Sequence, residues 1–414
     1  MATVLNFPSD QIRSFYERLP YPEPLANLER HVGLYKNPER RRARFHLMFP
    51  AGNPRARQRI LVAGCGTSQA ATVAIREAES RVVAIDISEA SLRHTRQLQR
   101  KYALDNLELH QLSILEIERL GGTFDQIICT GVLHHLNDPE LGLQLLRDVL
   151  APDGAMQIMV YASYGRSGIF MMQAYCRLLG VTPTTRELHD LGATLNHLPQ
   201  DHPLAPVLHR ARDFNHPDAL ADAMLNPRDC SYSVPQLLAW LDRCGMSFGR
   251  WVEQAPYLPQ CGAITRTPHA GRLCALPEAQ QYAAMELFRG TLTQHNFVAY
   301  RSDRARARQS IQFTGEQWRS YVPIRLPWTA CVRELLPPGS AAVLLNPAHR
   351  HPDLILPVNA SDDRVLEQID GKRTLGEIAA SGGDAALRFV RRLWQYDQIV
   401  FDAAVARVVE SCEL

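Results

Sequence analysis

Residues 60–71 read ILVAGCGTSQAA. The four apolar positions Ile60 to Ala63 suit a short strand buried on both faces. Gly64-Cys65-Gly66 ends that run, and the small residues from Ser68 to Ala71 begin a helical pattern. A strand that turns through glycines into a helix lets a ligand approach its backbone closely. The dinucleotide fingerprint requires glycine or alanine at its sixth place, where this chain has Gln69, and there is no Gly-Lys-Ser phosphate loop. A pyrophosphate ligand is therefore disfavoured. The turn better suits a ligand with a nucleoside end and a small amino-acid end.

The pattern repeats outward from this turn. RVVAID (residues 81–86) reads as a second strand ending in Asp86, and SEASLRHTRQLQRKYAL as a helix capped by Ser88. An acid at the tip of the second strand can accept hydrogen bonds from both hydroxyls of a ribose. LELHQLS is a third strand and FDQIICTGVL a fourth. DPELGLQLLRDVLAPDG is a helix closed by Pro152 and Gly154, and AMQIMVYA is a fifth strand. Strands alternating with helices imply a parallel sheet covered on both faces.

The expected fold is α/β: a Rossmann-like three-layer sandwich around a mostly parallel seven-stranded sheet, with a helical lid insertion and a small α+β C-terminal domain. The expected organisation has four parts. Residues 1–55 form an N-terminal helical arm or lid, with Arg30 to Met48 helical. Residues 56–268 form the ligand-binding domain, with a helical insertion at about 165–230. Residues 269–340 connect it to a winged-helix-like domain at 341–414. GRWVEQAPYLPQCGAITRTP (residues 249–268) is expected to return to the sheet edge as a hairpin. The tail shows three helical runs and a strand, the second run opening on a capping box of Thr374 and Glu377.

The 414 residues are 46% hydrophobic and 21% charged, with a net charge of +2, which gives no general reason to expect nucleic acid as a partner. The arginines at 40, 41, 42 and 44, and at 301, 304, 306 and 308, read as solvated faces. The nine cysteines include no Cys-x-x-Cys, and no Cys/His spacing fits zinc, so no metal is expected. The N-terminus lacks the apolar core of a signal peptide, and no apolar run approaches a membrane span. The expectation is a cytoplasmic protein with no membrane partner.

LVAGCGTSQ, VVAIDIS, FDQIICTGVLHHLNDPE and LLRDVLAPDGAMQIMVYA occur in order over residues 59–161. Together they resemble a class I S-adenosylmethionine-dependent methyltransferase. The resemblance implies S-adenosyl-L-methionine as cofactor. It implies that Ala63, Gly64, Cys65 and Gly66 cradle the methionine part, that Asp86 with Ile87 binds the ribose, and that Ser113 and Ile114 flank the adenine. Thr130, Gly131 and Val132 would line the methionyl and substrate side. Three positions depart from the usual pattern: Val62 stands where an acid is common, Ser68 replaces a third glycine, and Ser113 replaces a frequent aspartate.

His134 and His135 follow the fourth strand, where ligands bind in open parallel sheets. His134 is the better candidate for a catalytic base and His135 for packing. Tyr161, Tyr164 and Arg166 follow the fifth strand and are candidate substrate contacts, with Arg166 able to clamp a carboxylate or phosphate. Tyr16 and Tyr21 are candidates to close over the site from the N-terminal arm. Arg228, Asp229 and Tyr232 lie in a possible binding loop, where Asp229 could equally serve as a helix cap.

The expected reaction moves a methyl group to an O or N acceptor on a small molecule or peptide. The alternatives are a protein lysine-type acceptor or a non-catalytic adaptor. The C-terminal module weakly resembles PqqD-like winged-helix domains, which fits a peptide or protein partner or a homodimer.

Overall fold

In the computed structural model, residues 9–52, 57–210, 214, 216–303 and 311–404 are described. Arg304, Arg306 and Arg308 lie outside the described residues. The chain divides into two compact units. The first holds residues 1–32, 57–246 and 290–295; the second holds 33–56, 247–289 and 296–414.

Three helices come first: α1 (Ser9–Arg18), α2 (Glu29–Tyr35) and α3 (Pro38–Met48). The single helix expected over Arg30–Met48 is two, because the Asn37 side chain accepts from the Glu39 N–H and Pro38 opens a new first turn. Then follow β1 (Arg59–Ala63), α4 (Gln69–Arg76), β2 (Arg81–Asp86), α5 (Glu89–Lys101), β3 (Leu107–Gln111), β4 (Phe124–Thr130), α6 (Pro139–Asp148) and β5 (Leu150–Tyr161). These five strands pair in parallel in the order β3-β2-β1-β4-β5. The full sheet has seven strands, ordered β3-β2-β1-β4-β5-β7-β6. Ile60, Leu61, Val62 and Ala63 are fully buried, as strands covered on both faces require. The observed α/β class, with its mostly parallel sheet of seven, is the one the sequence predicts.

The insertion after β5 is α7 (Ser167–Leu179), α8 (Thr185–Leu195), α9 (Ala205–Arg210) and α10 (Pro217–Leu225). Its helices share an apolar core of Ile169, Met172, Leu191, Leu195, Leu204 and Leu220, among others. Helix α11 (Val234–Arg243) follows, and the Gln236 side chain accepts from the Ser233 N–H at its start.

Next come β6 (Met246–Trp251), α12 (Ala270–Cys274), α13 (Glu278–Arg289) and β7 (Gln294–Arg301). The hairpin expected over residues 249–268 does not form. After β6 the chain runs through short 3₁₀ turns at Ala255–Tyr257 and Ala263–Arg266. Pro256 and Pro259 have no N–H to donate to a ladder, which explains why no second strand continues there.

The rest of the second unit is β8 (Val322–Arg325), β9 (Ala330–Val332), β10 (Ala342–Leu345), β11 (Leu356–Val358), α14 (Ala360–Gln368), α15 (Leu375–Gln395) and β12 (Ile399–Asp402). Strands β9, β10 and β11 form one small antiparallel sheet, and β8 pairs antiparallel with β12. The Thr374–Glu377 capping box is present. Gly383 breaks α15 into two helical runs, so the tail contains the three runs and strand legible in its sequence. A buried Asp397 ties this unit together, accepting from Arg250 and the Ala255 N–H and pairing with His349 at 3.0 Å. Among the described residues no helix is long and apolar enough to cross a membrane.

Candidate active site

The site is built at the C-terminal ends of β1, β2, β4 and β5, where an open parallel sheet leaves its crevice. The N–H groups of Gly64 and Cys65 both donate to the Ile85 carbonyl, at 2.9 and 3.0 Å, which pins the glycine turn to the end of β2. Gly64 has φ +70°, and a Cβ placed there would stand 2.3 Å from a methyl of Val132. Glycine is thus required twice, by backbone conformation and by space. Gly66 has φ +54°, and a Cβ there would meet the Pro22 ring and the Tyr21 carbonyl at 3.0–3.1 Å.

Asp86 closes the turn from the other side. One carboxylate oxygen accepts from the Gly66 N–H at 2.8 Å and the other from the Ser88 N–H at 2.9 Å. Burial raises its pKa above the usual carboxylate range, against the lowering effect of these backbone donors. A carboxylate has about four acceptor positions, so the backbone donors, the Ile87 N–H included, do not exhaust its capacity for hydroxyl donors. The Gly64–Val132 cradle and the spare capacity of Asp86 fit S-adenosylmethionine.

The other expected cofactor positions fall around this turn. Ser113 caps a short 3₁₀ helix, its hydroxyl accepting from the Leu115 N–H, and Ile114 is buried beside it. The Ile87 carbonyl accepts from the Gln111 side chain. The Gly131 N–H donates to the Met159 carbonyl at 3.0 Å. The Thr130 hydroxyl accepts from Gln69 Nε2 at 2.7 Å, so the residue that spoils the dinucleotide fingerprint instead braces the end of β4. Cys65 is buried, and burial pushes its thiol pKa well up.

The N-terminal segment reaches the same turn. The Thr67 hydroxyl donates to the Pro22 carbonyl at 2.7 Å, and the Leu25 N–H donates to the Ser68 hydroxyl at 3.0 Å. Glu17 accepts from the N–H groups of Glu89 and Ala90, capping α5 from another helix. The Ser88 hydroxyl donates to the Tyr16 carbonyl.

A second cluster lies past β4 and β5. His134 is fully buried, and neither ring nitrogen has a hydrogen-bond partner among the described residues. Its ring packs on Tyr161, centroids 3.8 Å apart, and the Arg166 guanidinium carbon lies 3.4 Å from the same Tyr161 centroid. Burial holds the His134 pKa well below the usual histidine value, helped by His135 and by Arg166. Desolvation thus favours the neutral imidazole, which can accept a hydrogen bond or bind a metal. His135 Nδ1 donates to the Arg228 carbonyl at 2.7 Å.

Asp222, on α10, collects the tyrosines. It accepts from the Tyr16 hydroxyl at 2.8 Å and from the Tyr161 hydroxyl at 3.3 Å, and Asn226 donates to both Asp222 and Tyr16. Burial first, then the Asp222 charge, raises the pKa of both phenols. Residues 228–232 run along the end of β5. The Cys230 N–H donates to the His134 carbonyl, and the Tyr232 N–H to the Tyr161 carbonyl. That path brings Asp229 to Arg166, which it pairs at 3.0 Å, and to Gln173, which donates at 2.9 Å.

Of the sequence candidates, Tyr16, Tyr161, Arg166 and His134 therefore come together, and the Tyr21 backbone lies against Gly66. Tyr164 does not join them; it is exposed on a 3₁₀ turn. Asp222, Asn226 and Gln173 are not among the sequence candidates, and Gln69 enters there only as the residue that breaks the dinucleotide pattern.

Residues 55–182 match a family model described as "Methyltransferase domain". An uncharacterized protein of Synechococcus sp. is 32% identical over 258 residues, 59% of this chain and 61% of that protein. The match thus spans about three fifths of the curated relative's length. Among solved structures, PKMT2 from Rickettsia typhi in complex with AdoHcy superposes with a TM-score of 0.60 at 14% identity, covering 89% of this chain and 75% of that one. A second structure of PKMT2 from Rickettsia typhi gives the same TM-score and identity. The resemblance of the tail to PqqD-like domains finds no support in these likenesses. The family match, the glycine turn and Asp86 together identify residues 55–182 as a class I S-adenosylmethionine-dependent methyltransferase domain.

Proposed function

We propose that the whole chain transfers the methyl group of S-adenosylmethionine to an oxygen or nitrogen acceptor on a small molecule or peptide. The observation that carries this reading is Asp86, held by Gly66 and Ser88 at the tip of β2 with acceptor capacity to spare. In this reading Asp86 binds the ribose, the Gly64–Gly66 turn and Thr130–Val132 hold the methionyl part, and Ser113 and Ile114 flank the adenine. When bound, the cofactor supplies a methyl group already activated for in-line displacement. The chain's own contribution is alignment of the acceptor and exclusion of water.

Tyr16, Tyr161 and Arg166 orient the acceptor. In this reading His134, whose ring nitrogens have no partner among the described residues, is the base for the proton that a hydroxyl or ammonium acceptor must lose. An amine side chain on a protein is the second reading. Its supports are the fold shared with Rickettsia typhi PKMT2 and the buried Asp222 carboxylate beside two phenols.

The experiment is incubation of the full chain with methyl-labelled S-adenosylmethionine and fractionated lysate. Label in the small-molecule or peptide fraction supports the first reading, and label in protein lysines the second. No label in any fraction, with the cofactor bound, refutes methyl transfer as the activity.

A further inference from the structure

One nitrogen of His134, one of His135 and one carboxylate oxygen of Asp229 all lie within 4.8 Å of one another. Their side chains are buried, Asp229 at 4% exposure. No sequence spacing announces the group, because Asp229 reaches the histidines only through the backbone bond from Cys230 to His134.

We propose that His134, His135 and Asp229 form a binding site for a divalent transition-metal ion. The hydrogen bonds around the three residues are those such a site needs. His135 gives its Nδ1–H to the Arg228 carbonyl, which fixes the tautomer and leaves Nε2 with a free lone pair. Asp229 receives Arg166 and Gln173 on the same oxygen, Oδ2, while Oδ1 has no partner among the described residues. Both nitrogens of His134 are likewise unpartnered. Unpaired polar atoms are costly in so dry a place, and an ion would satisfy an atom from each of the two residues at once.

Two imidazoles and one carboxylate select zinc, cobalt, iron or nickel over magnesium and calcium, which prefer all-oxygen sets. Ligands about 2.1 Å from a tetrahedral ion stand roughly 3.4 Å apart, so binding draws the three atoms inward and leaves a fourth position open. The inference does not depend on the identity of the acceptor, and an ion bound at His134 would take the lone pair that the base role needs.

The test is titration of the chelator-treated full chain with Co²⁺, followed by visible ligand-field absorption. Saturation at stoichiometric Co²⁺ is expected, with affinity lowered about tenfold or more in His134→Gln and in Asp229→Asn and unchanged in Asp86→Ala. The last variant separates this site from the cofactor site, so metal binding survives even where the methyltransferase reading fails. Absence of saturable absorption, or equal affinity in folded His134→Gln and Asp229→Asn, overturns the proposal. Should those variants not fold, Cu²⁺-loaded wild-type chain examined by pulsed electron paramagnetic resonance counts the ligands directly. Two coordinated imidazoles support the site; one or none overturns it.

Discussion

The Asp86 carboxylate accepts the Gly66 N–H at 2.8 Å, across the crevice between β1 and β2. This bond joins the glycine turn to the acid that would hold the cofactor's ribose. Asp86→Ala therefore loses charge-assisted bonds to the ribose and loosens the turn as well. Affinity for S-adenosylmethionine should fall by about 1.5–3 kcal/mol, roughly tenfold or more, by isothermal titration calorimetry. Affinity equal to wild type would remove Asp86 from the site.

The raised pKa of Asp86 gives this affinity a pH dependence. Ribose hydroxyls donate to the ionised carboxylate. As pH falls through the raised pKa, the free protein takes up a proton that must leave before the cofactor binds. Affinity should begin to fall on acidification at a pH above the ordinary aspartate range, and Asp86→Asn should abolish that slope. The ligand-free fold runs the other way. A raised carboxyl pKa contributes stability below the unfolded pKa and loses it as pH rises through the folded one.

Gly64→Ala must hold φ near +70° and push aside Val132. Left-handed backbone costs a non-glycine residue about 1 kcal/mol, and overpacking typically adds about 1–3 kcal/mol. Thermal and denaturant unfolding should both show the loss. Val132→Ala in the same chain should recover the packing part and leave the backbone part.

Much of this was legible in the chain. Alternating apolar strands and amphipathic helices fixed the parallel sheet, and the interval from Gly66 to Asp86 placed the acid at a strand tip. What was not legible came from the insertion. Periodicity tells that α10 is a helix, but not that it delivers Asp222 to Tyr16 and Tyr161, 206 and 61 residues away. The sequence leaves Asp229 open between a loop contact and a cap, because its partners Arg166 and Gln173 meet it only after residues 228–232 lie along β5. Tyr164 stands three residues after Tyr161 in sequence, yet it opens the 3₁₀ turn Tyr164–Arg166 and is exposed there. Prolines explain the missing hairpin after β6.

Asp222→Ala leaves two half-buried phenols without their acceptor. Each unsatisfied group costs about 1–3 kcal/mol, so the variant should unfold at lower denaturant. Tyr16→Phe removes one donor, and in a double-mutant cycle the two changes should couple by about 0.5 kcal/mol or more, as residues in one network do. Strict additivity would show that the bond contributes nothing.

Glu17→Ala uncaps α5, since Glu17 supplies the acceptor for the Glu89 and Ala90 N–H groups. The expected loss is about 1 kcal/mol in stability. Because the same helix start carries Ser88, which donates to Asp86, the variant should also weaken cofactor affinity by less than Asp86→Ala does.

The most direct measurement is calorimetric titration of the full chain with S-adenosylmethionine and with its demethylated product. Saturable, stoichiometric binding of both, weakened roughly tenfold or more in an Asp86→Ala chain that still unfolds cooperatively, is the predicted result. A folded wild-type chain that binds neither would contradict the account at its centre.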